Sequence, residues 1–466
     1  MRSAADAVTP TPERIGHPIL WVMVFAAVIA GLSFNATNLY VIILVCGIAA
    51  VTLLVFAIPT LGRGIGWVTV GYFLFSTTFG RLAPFPTIPM AGYLFAGALS
   101  LAAIINVIRS AKGGFHVNGA PALAALIFVL YAMVTGIWSS ESPDGWELLR
   151  QFCVLLIGPV LILVFSGPNA HRGLMLTYLL FTTIFGFFLF LFFRLGHGNS
   201  YRVIDFGQNY MSGVLGPGII LGFWTFFQPD YSRLKLRKIL GGAAFGLGLY
   251  GVLLLASRGI FLALIPTLLI VWSQTLRSFR QALVTGILVV VGIAGMYASG
   301  LFDSVIRRFS SGDVSNLNSR LPIWHALMDH AGKGNPGQII FGFGHRAQEP
   351  IVRSVISELT STHNAYIAIL FGYGIVGLIL VGLAFAFALR GSNPRRRSKG
   401  VLAVALTLYL VIQGAAAEMI DTYPFWFVLA FIAAIVQSSD ADDVPGVKPE
   451  SPVEPNGPSA ALVTGN

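Results

Sequence analysis

Polar positions in this chain are crowded into one place. Apolar runs follow one another along most of its length, and the longest polar interruption lies between about 300 and 362. Fourteen apolar segments are legible: roughly 18–32, 38–58, 66–80, 90–108, 121–138, 149–166, 172–194, 211–228, 238–256, 258–275, 280–299, 363–389, 400–417 and 424–438. Crossing ~30 Å of hydrocarbon takes about 20 apolar residues in a helix, and most of these runs are long enough. The third and last are short, and the two runs flanking Ser257 have almost no loop between them. The pattern predicts an all-α polytopic membrane protein. It has about 12–14 transmembrane helices and one large extramembrane loop holding short amphipathic helices. Residues 1–17 form a tail, 18–438 the membrane domain, and 439–466 a second tail. The second tail is rich in Pro, Ser, Gly and acid; it has too little apolar surface to fold and is predicted disordered.

The loop carries its own periodicity. Val305, Ile306 and Phe309 fall at helical spacing. Ser319 can cap a helix with Ile323, Trp324 and Leu327 on one face, and Pro322 is tolerated in its first turn. The run GKGNPGQ ends that helix, IIFGFG reads as a tight turn, and PIVRSVISEL is a further amphipathic helix. Short outer helices with an apolar face are expected to lie on the membrane surface or to roof a cavity.

Composition agrees with the pattern. Hydrophobic residues make up 56% of the chain and charged residues 10%, where a soluble domain carries about 25% charge. The net charge of +10 follows membrane orientation and implies no nucleic-acid partner, because no basic run is interleaved with aromatics. With the N-terminus inside, 18 Lys and Arg fall on the inner connections and tails, against 5 in the short outer loops. Both termini are therefore expected to be cytoplasmic and the 300–362 loop to face outside. The first apolar run reads as a retained span. Cys46 and Cys153 lie within apolar runs, so no disulfide framework or thiolate metal site is expected.

Candidate chemistry gathers where the polarity does. Four of the eight His (His325, His330, His345 and His363) lie between 319 and 377. Arg258 stands between two apolar runs, either as a snorkelling anchor or as a cation facing an anionic group at the outer surface. The adjacent Gly259 would admit a close approach to the backbone. Arg320 opens the first loop helix, at the end where the helix dipole least favours a cation. His363 and Asn364 stand at the mouth of the next span. Two outward Arg can hold a pyrophosphate by forked contacts, and a neutral His can take a proton from an attacking hydroxyl. Arg194 and Arg202, around GHGNSY, are weaker candidates, as are Glu418 and Asp421, for which an exposed outer turn is expected. No Asp-x-Asp pair faces outward and no His/acid cluster has metal-ligand spacing, so neither a metal nor a cofactor is expected.

These residues carry a resemblance. The Arg of SRG (Arg258), the Arg and Trp of SRLPIWHAL (Arg320, Trp324), the FGFG turn (Gly342, Gly344) and HNAYIAILFGYGIVG resemble the O-antigen ligase and polymerase superfamily of bacterial membrane glycosyltransferases. In the last, His363 and Asn364 precede Gly374 and Gly377 at the spacing found in the ligases. The likeness covers about 240–390. Arg202, with ten residues between it and Gly213, is similar to an outer-loop pattern of the polymerases.

The resemblance implies a substrate class: glycans on undecaprenyl pyrophosphate, presented at the periplasmic face of the bacterial inner membrane. A ligase moves the glycan to a lipid A-core sugar, a polymerase to another lipid-linked repeat unit. The implied partners are that lipid-linked glycan, a glycan or lipid A-core acceptor, the bilayer, and other polysaccharide-assembly proteins. Arg258, Arg320 and His363 are the expected catalytic residues; Arg202, Trp324, Asn364 and Gly344 are expected to line the substrate. Fourteen spans favour a polymerase and the His-Asn spacing a ligase, so the leading expectation is a ligase-like, metal-independent, inverting transferase. A lipid-linked oligosaccharide flippase would instead place polar groups within its spans, and an inert scaffold gives no reason for Arg258, Arg320 and His363 to share a side.

Overall fold

A computed structural model describes residues 120–139, 170–192, 208–227, 235–255, 257–275, 279–298, 300, 303, 306, 320–357, 361–390, 398–418 and 423–441. The expected spans at 18–32, 38–58, 66–80, 90–108 and 149–166, most of the 303–311 segment, Ser319, Arg194, Arg202, Asp421, the first tail and the second tail beyond 441 lie outside these residues; residues 439–441 continue the last helix.

Among the described residues the chain is helical, with no strands. In order, the helices are α1 (Ala120–Thr135, with a short 3-10 turn Gly136–Trp138), α2 (Ala170–Phe192), α3 (Gln208–Phe227), α4 (Lys235–Leu255), α5 (Arg258–Thr275) and α6 (Phe279–Ala298). Then come the loop helices α7 (Arg320–Gly332), α8 (Pro336–Phe341) and α9 (Gln348–Val355), followed by α10 (Ala365–Leu389), α11 (Ser398–Ala416) and α12 (Tyr423–Ala441). Four of them (α2, α4, α10 and α11) are long and apolar enough to cross a membrane, and several shorter apolar helices pack among them. The protein is an all-α polytopic membrane protein.

Close packing in the bundle is built on small residues, as expected where lipid offers no hydrophobic drive between helices. α3 packs on α4, α2 on α4, α1 on α10 and α5 on both α11 and α3. Gly222 leaves no room for a Cβ against the Gly241 carbonyl of α4. The backbone shows how a break in a span is accommodated. Pro217, inside α3, has no N–H to give to the Gly213 carbonyl one turn back. The Tyr409 hydroxyl of α11 donates to that carbonyl instead, at 2.8 Å, and Gly216 leaves the space for the Tyr409 ring. A lost helix bond in hydrocarbon is thus replaced by a side chain from a neighbour.

The loop helices have a small core of their own. Ile323 and Leu327 of α7, Ala347, Val352 of α9 and Phe371 of α10 are buried together, with Trp324, Phe343 and Ile367 packed against them. The expected apolar face of α7 is therefore present, turned onto α9 and the start of α10.

Candidate functional site

α10 begins by a local rule. Asn364 is its N-cap: its Oδ1 accepts the backbone N–H groups of Tyr366 (2.9 Å) and Ile367 (3.1 Å). The carbonyl end of the Asn364 amide is thus committed to starting the helix. His363 immediately precedes it with φ +54, a left-handed conformation uncommon for a residue with a side chain. Its backbone N–H donates to Ser361 Oγ at 3.1 Å.

Glu418, two residues beyond the end of α11, holds this strained turn in place. Its Oε2 accepts from Ser361 Oγ (2.9 Å), Thr362 N–H (2.9 Å) and Thr362 Oγ1 (3.2 Å). Its Oε1 accepts from Gln348 Nε2 of α9 at 3.2 Å. Glu418 is thus half-buried with its carboxylate turned into the protein, not in the exposed turn expected for it. Burial raises its pKa above the ordinary carboxylate value, and the four hydrogen bonds oppose that rise. From the other side, Trp324 Nε1 donates to the Thr362 carbonyl at 3.0 Å. Trp324 therefore positions the segment leading to His363.

The cationic candidates converge on the same end of the bundle. Arg320 is the first residue of α7 and half-buried, close enough to His363 to lower its pKa; burial of the ring is the larger cause. His363 therefore stays neutral at pH 7. Arg258 opens α5, and the backbone beside it is pressed onto α11: a Cβ on Gly259 would lie 2.4 Å from Ala416 Cβ. The close approach at Gly259 is made by this helix contact. Ala416 is two residues from Glu418, which grips Ser361 and Thr362, which in turn set His363. The starts of α5, α7 and α10 and the end of α11 are thereby joined in one connected cluster. Among the described residues, no group of three His, Cys, Asp or Glu is placed to hold a metal ion.

About three turns beyond His363, α10 is broken. Gly374 has φ +66 and ψ −167 inside the helix, which frees the carbonyls that precede it. The FGFG segment supplies their partners: Phe343 N–H donates to Phe371 O (2.8 Å) and Gly344 N–H to Gly372 O (3.0 Å). Tyr131 of α1 donates to Phe341 O (2.7 Å) and lies 3.0 Å from Tyr373 O. Trp138 Nε1 donates to Gly342 O (3.2 Å) and Ser139 Oγ to His345 O (2.6 Å). Gly342 (φ +82) and Gly344 (φ +110) are required by both conformation and space, since a Cβ on Gly344 would sit 2.5 Å from Ser139 Cα. Gly344 is buried in this knot. Gly377 leaves room for the Tyr373 side chain. His345 is buried here too, its Nδ1 2.7 Å from Tyr373 Oη.

The structure thus brings together Arg320, His363 and, through α11, Arg258, and adds Glu418. Trp324, Asn364 and Gly344 fall into supporting positions around them. Tyr131, Trp138, Ser139 and Gln348 had no sequence signal, because their partners lie far along the chain. Asn364 as a cap did have one: an Asn directly before an apolar run. Residues 243–382 match the family model described as O-antigen ligase. That stretch spans Arg258, Arg320, His363 and the FGFG and α10 parts of the knot; it leaves out Tyr131, Trp138 and Ser139 and ends before Glu418. Comparison with curated proteins gives no match.

Proposed function

We propose that this chain, whose residues 243–382 match the O-antigen ligase family model, is a ligase-like glycosyltransferase of the O-antigen ligase/polymerase superfamily working at the periplasmic face of the inner membrane. It moves a glycan from undecaprenyl pyrophosphate to an acceptor hydroxyl. The observation that carries this reading is the meeting of a neutral, half-buried His363 with Arg320 at one end of a helical membrane bundle.

In the reaction, the acceptor oxygen attacks the anomeric carbon and its proton passes to the His363 imidazole. The bond from that carbon to the pyrophosphate oxygen breaks, and undecaprenyl pyrophosphate leaves with the electron pair. Arg258 and Arg320 bind the pyrophosphate and stabilise the charge that grows on it. Displacement from the opposite face inverts the anomeric configuration. Glu418 and Trp324 do not touch the reacting atoms; they hold the Ser361–His363 turn so that the ring is presented at a fixed angle. Donor, acceptor and arginines together account for the charge balance, so activity is expected to survive EDTA.

A repeat-unit polymerase of the same superfamily is the second reading, favoured by the fourteen apolar segments of the sequence. Purified protein incubated with lipid-linked glycan and either lipid A-core or a second lipid-linked unit tests both. Glycan appearing on lipid A-core supports the ligase, lengthening lipid-linked chains support the polymerase, and no transfer to either contradicts the proposal.

A further inference from the structure

Residues 336–345 belong to the long polar loop by sequence, yet three observations set them apart from it. The first is depth. Ala365–Leu389 is a 25-residue span interrupted at Gly374, at most about 37 Å long at 1.5 Å per residue against a hydrocarbon slab of ~30 Å. Centred in the slab, its break at Gly374 lies roughly 10 Å below the boundary. The Ile340 carbonyl is packed so tightly on Gly374 that a Cβ there would come within 2.3 Å of it.

The second is the state of the backbone. At the head of α8, Gln338 N–H donates to Asn335 Oδ1 and Asn335 N–H to Gln338 Oε1, both at 3.0 Å. At its foot, Gly342 N–H donates to Gln338 O (2.8 Å), while Tyr131 and Trp138 supply the Phe341 and Gly342 carbonyls. Phe343 and Gly344 donate to α10. Both ends of a one-and-a-half-turn helix are thus served by protein groups. The capping box is common in water too, but the Phe341 and Gly342 carbonyls, served by Tyr131 and Trp138, are satisfied as non-helical backbone at membrane depth requires.

The third is the side chains. Ile339, Ile340 and Phe341 are 44%, 43% and 50% exposed, and on α10 the neighbouring Ile375 and Ile379 are 43% and 56% exposed. One apolar strip continues from α8 onto a spanning helix.

We infer that residues 336–345 are a re-entrant segment, with the Ile339–Phe341 edge set against bilayer acyl chains in the leaflet on the His363 side. The polar residues just before it, Lys333 and Asn335, mark the boundary with water. The inference stands on the packing against α10 and is independent of which glycan is transferred.

The test uses the full chain in lipid vesicles, with Cys46 and Cys153 replaced by Ser and a single cysteine at 340, 341 or 333. Thiol reaction needs the thiolate, so an impermeant maleimide is expected to label Ile340→Cys and Phe341→Cys roughly tenfold or more slowly than Lys333→Cys. A fluorophore introduced by permeant chemistry at 340 or 341 should be quenched by doxyl-labelled lipid and shielded from iodide, with the reverse at 333. Iodide quenching at 340 and 341 equal to that at 333 would return the segment to the aqueous loop. Shielding from both quenchers would mean that protein covers the strip, and would equally overturn the lipid contact. Glycan transfer assays do not enter either outcome.

Discussion

Two histidines of one loop, 18 residues apart, show what separates a reactive site from a structural one. His345 and His363 both neighbour or adopt a left-handed backbone, and each has an Arg close by. His345 is sealed, 1% exposed, with its Nδ1 engaged by the Tyr373 hydroxyl at the α10 break. His363 is half-buried and faces Arg320, and the hydrogen bonds around it hold its backbone. In the first case the protein uses the ring to complete a knot; in the second it fixes the main chain and leaves the ring accessible. The division of hydrogen bonds between ring and main chain distinguishes the two.

That comparison is broken most severely at His363. His363→Ala is expected to lower transfer by about 10²–10⁴, the range for losing a positioned general base; a rate within a few-fold of wild type would remove the base. Arg320→Ala and Arg258→Ala should each cost about 10²–10³ in rate, with poor rescue by Lys, which cannot make the forked contact. Steady-state transfer on correctly inserted variants measures both.

At the knot the effect should be on stability. Gly344→Ala places a Cβ against the Ser139 backbone at φ +110, for a loss of about 2–3 kcal/mol from strain and overpacking. Thermal unfolding in detergent would show it, and an unchanged midpoint would contradict the close approach of FGFG to the end of α1. Glu418→Ala removes the acceptor of four hydrogen bonds, and a fall in transfer of about 10–100-fold is expected from losing part of their net worth. Donor affinity should hold and Gln should rescue partly; a uniform loss of folded protein would make Glu418 a stability residue only.

The helices were largely legible: the expected run 258–275 is helix Arg258–Thr275, and Ile323 and Leu327 share a buried face as their spacing predicts. Such elements are written locally, by apolar period and caps. The site was half legible. The neighbourhood of Arg320 and His363 could be read because polarity was concentrated there, but the groups that arrange it come from elsewhere. Tyr131 meets Tyr373 across 242 positions and Ser139 meets His345 across 206, and no local pattern encodes such pairs. An acid after an apolar run is normally solvated, so the sequence points to an exposed turn at Glu418; in the fold three donors of the Ser361–Thr362 turn and one from α9 enclose it. The FGFG turn was read as a turn, whereas its glycines serve the backbone of α10. Gly374 within an apolar helical run was the signal that a break awaited a partner.

The account turns on a division of labour, arginines for the lipid-linked pyrophosphate and His363 for the proton. One measurement tests it directly: donor binding and single-turnover transfer, determined on the same preparations of wild type, His363→Ala and Arg320→Ala. The account predicts that His363→Ala binds the donor as wild type does and fails to transfer it, while Arg320→Ala loses binding. In wild type, transfer per bound donor should fall only as pH drops below the ordinary imidazole value, because the folded-state pKa of His363 is lowered. Donor binding lost in His363→Ala, with transfer per bound donor unchanged, would contradict the account and make His363 a docking residue.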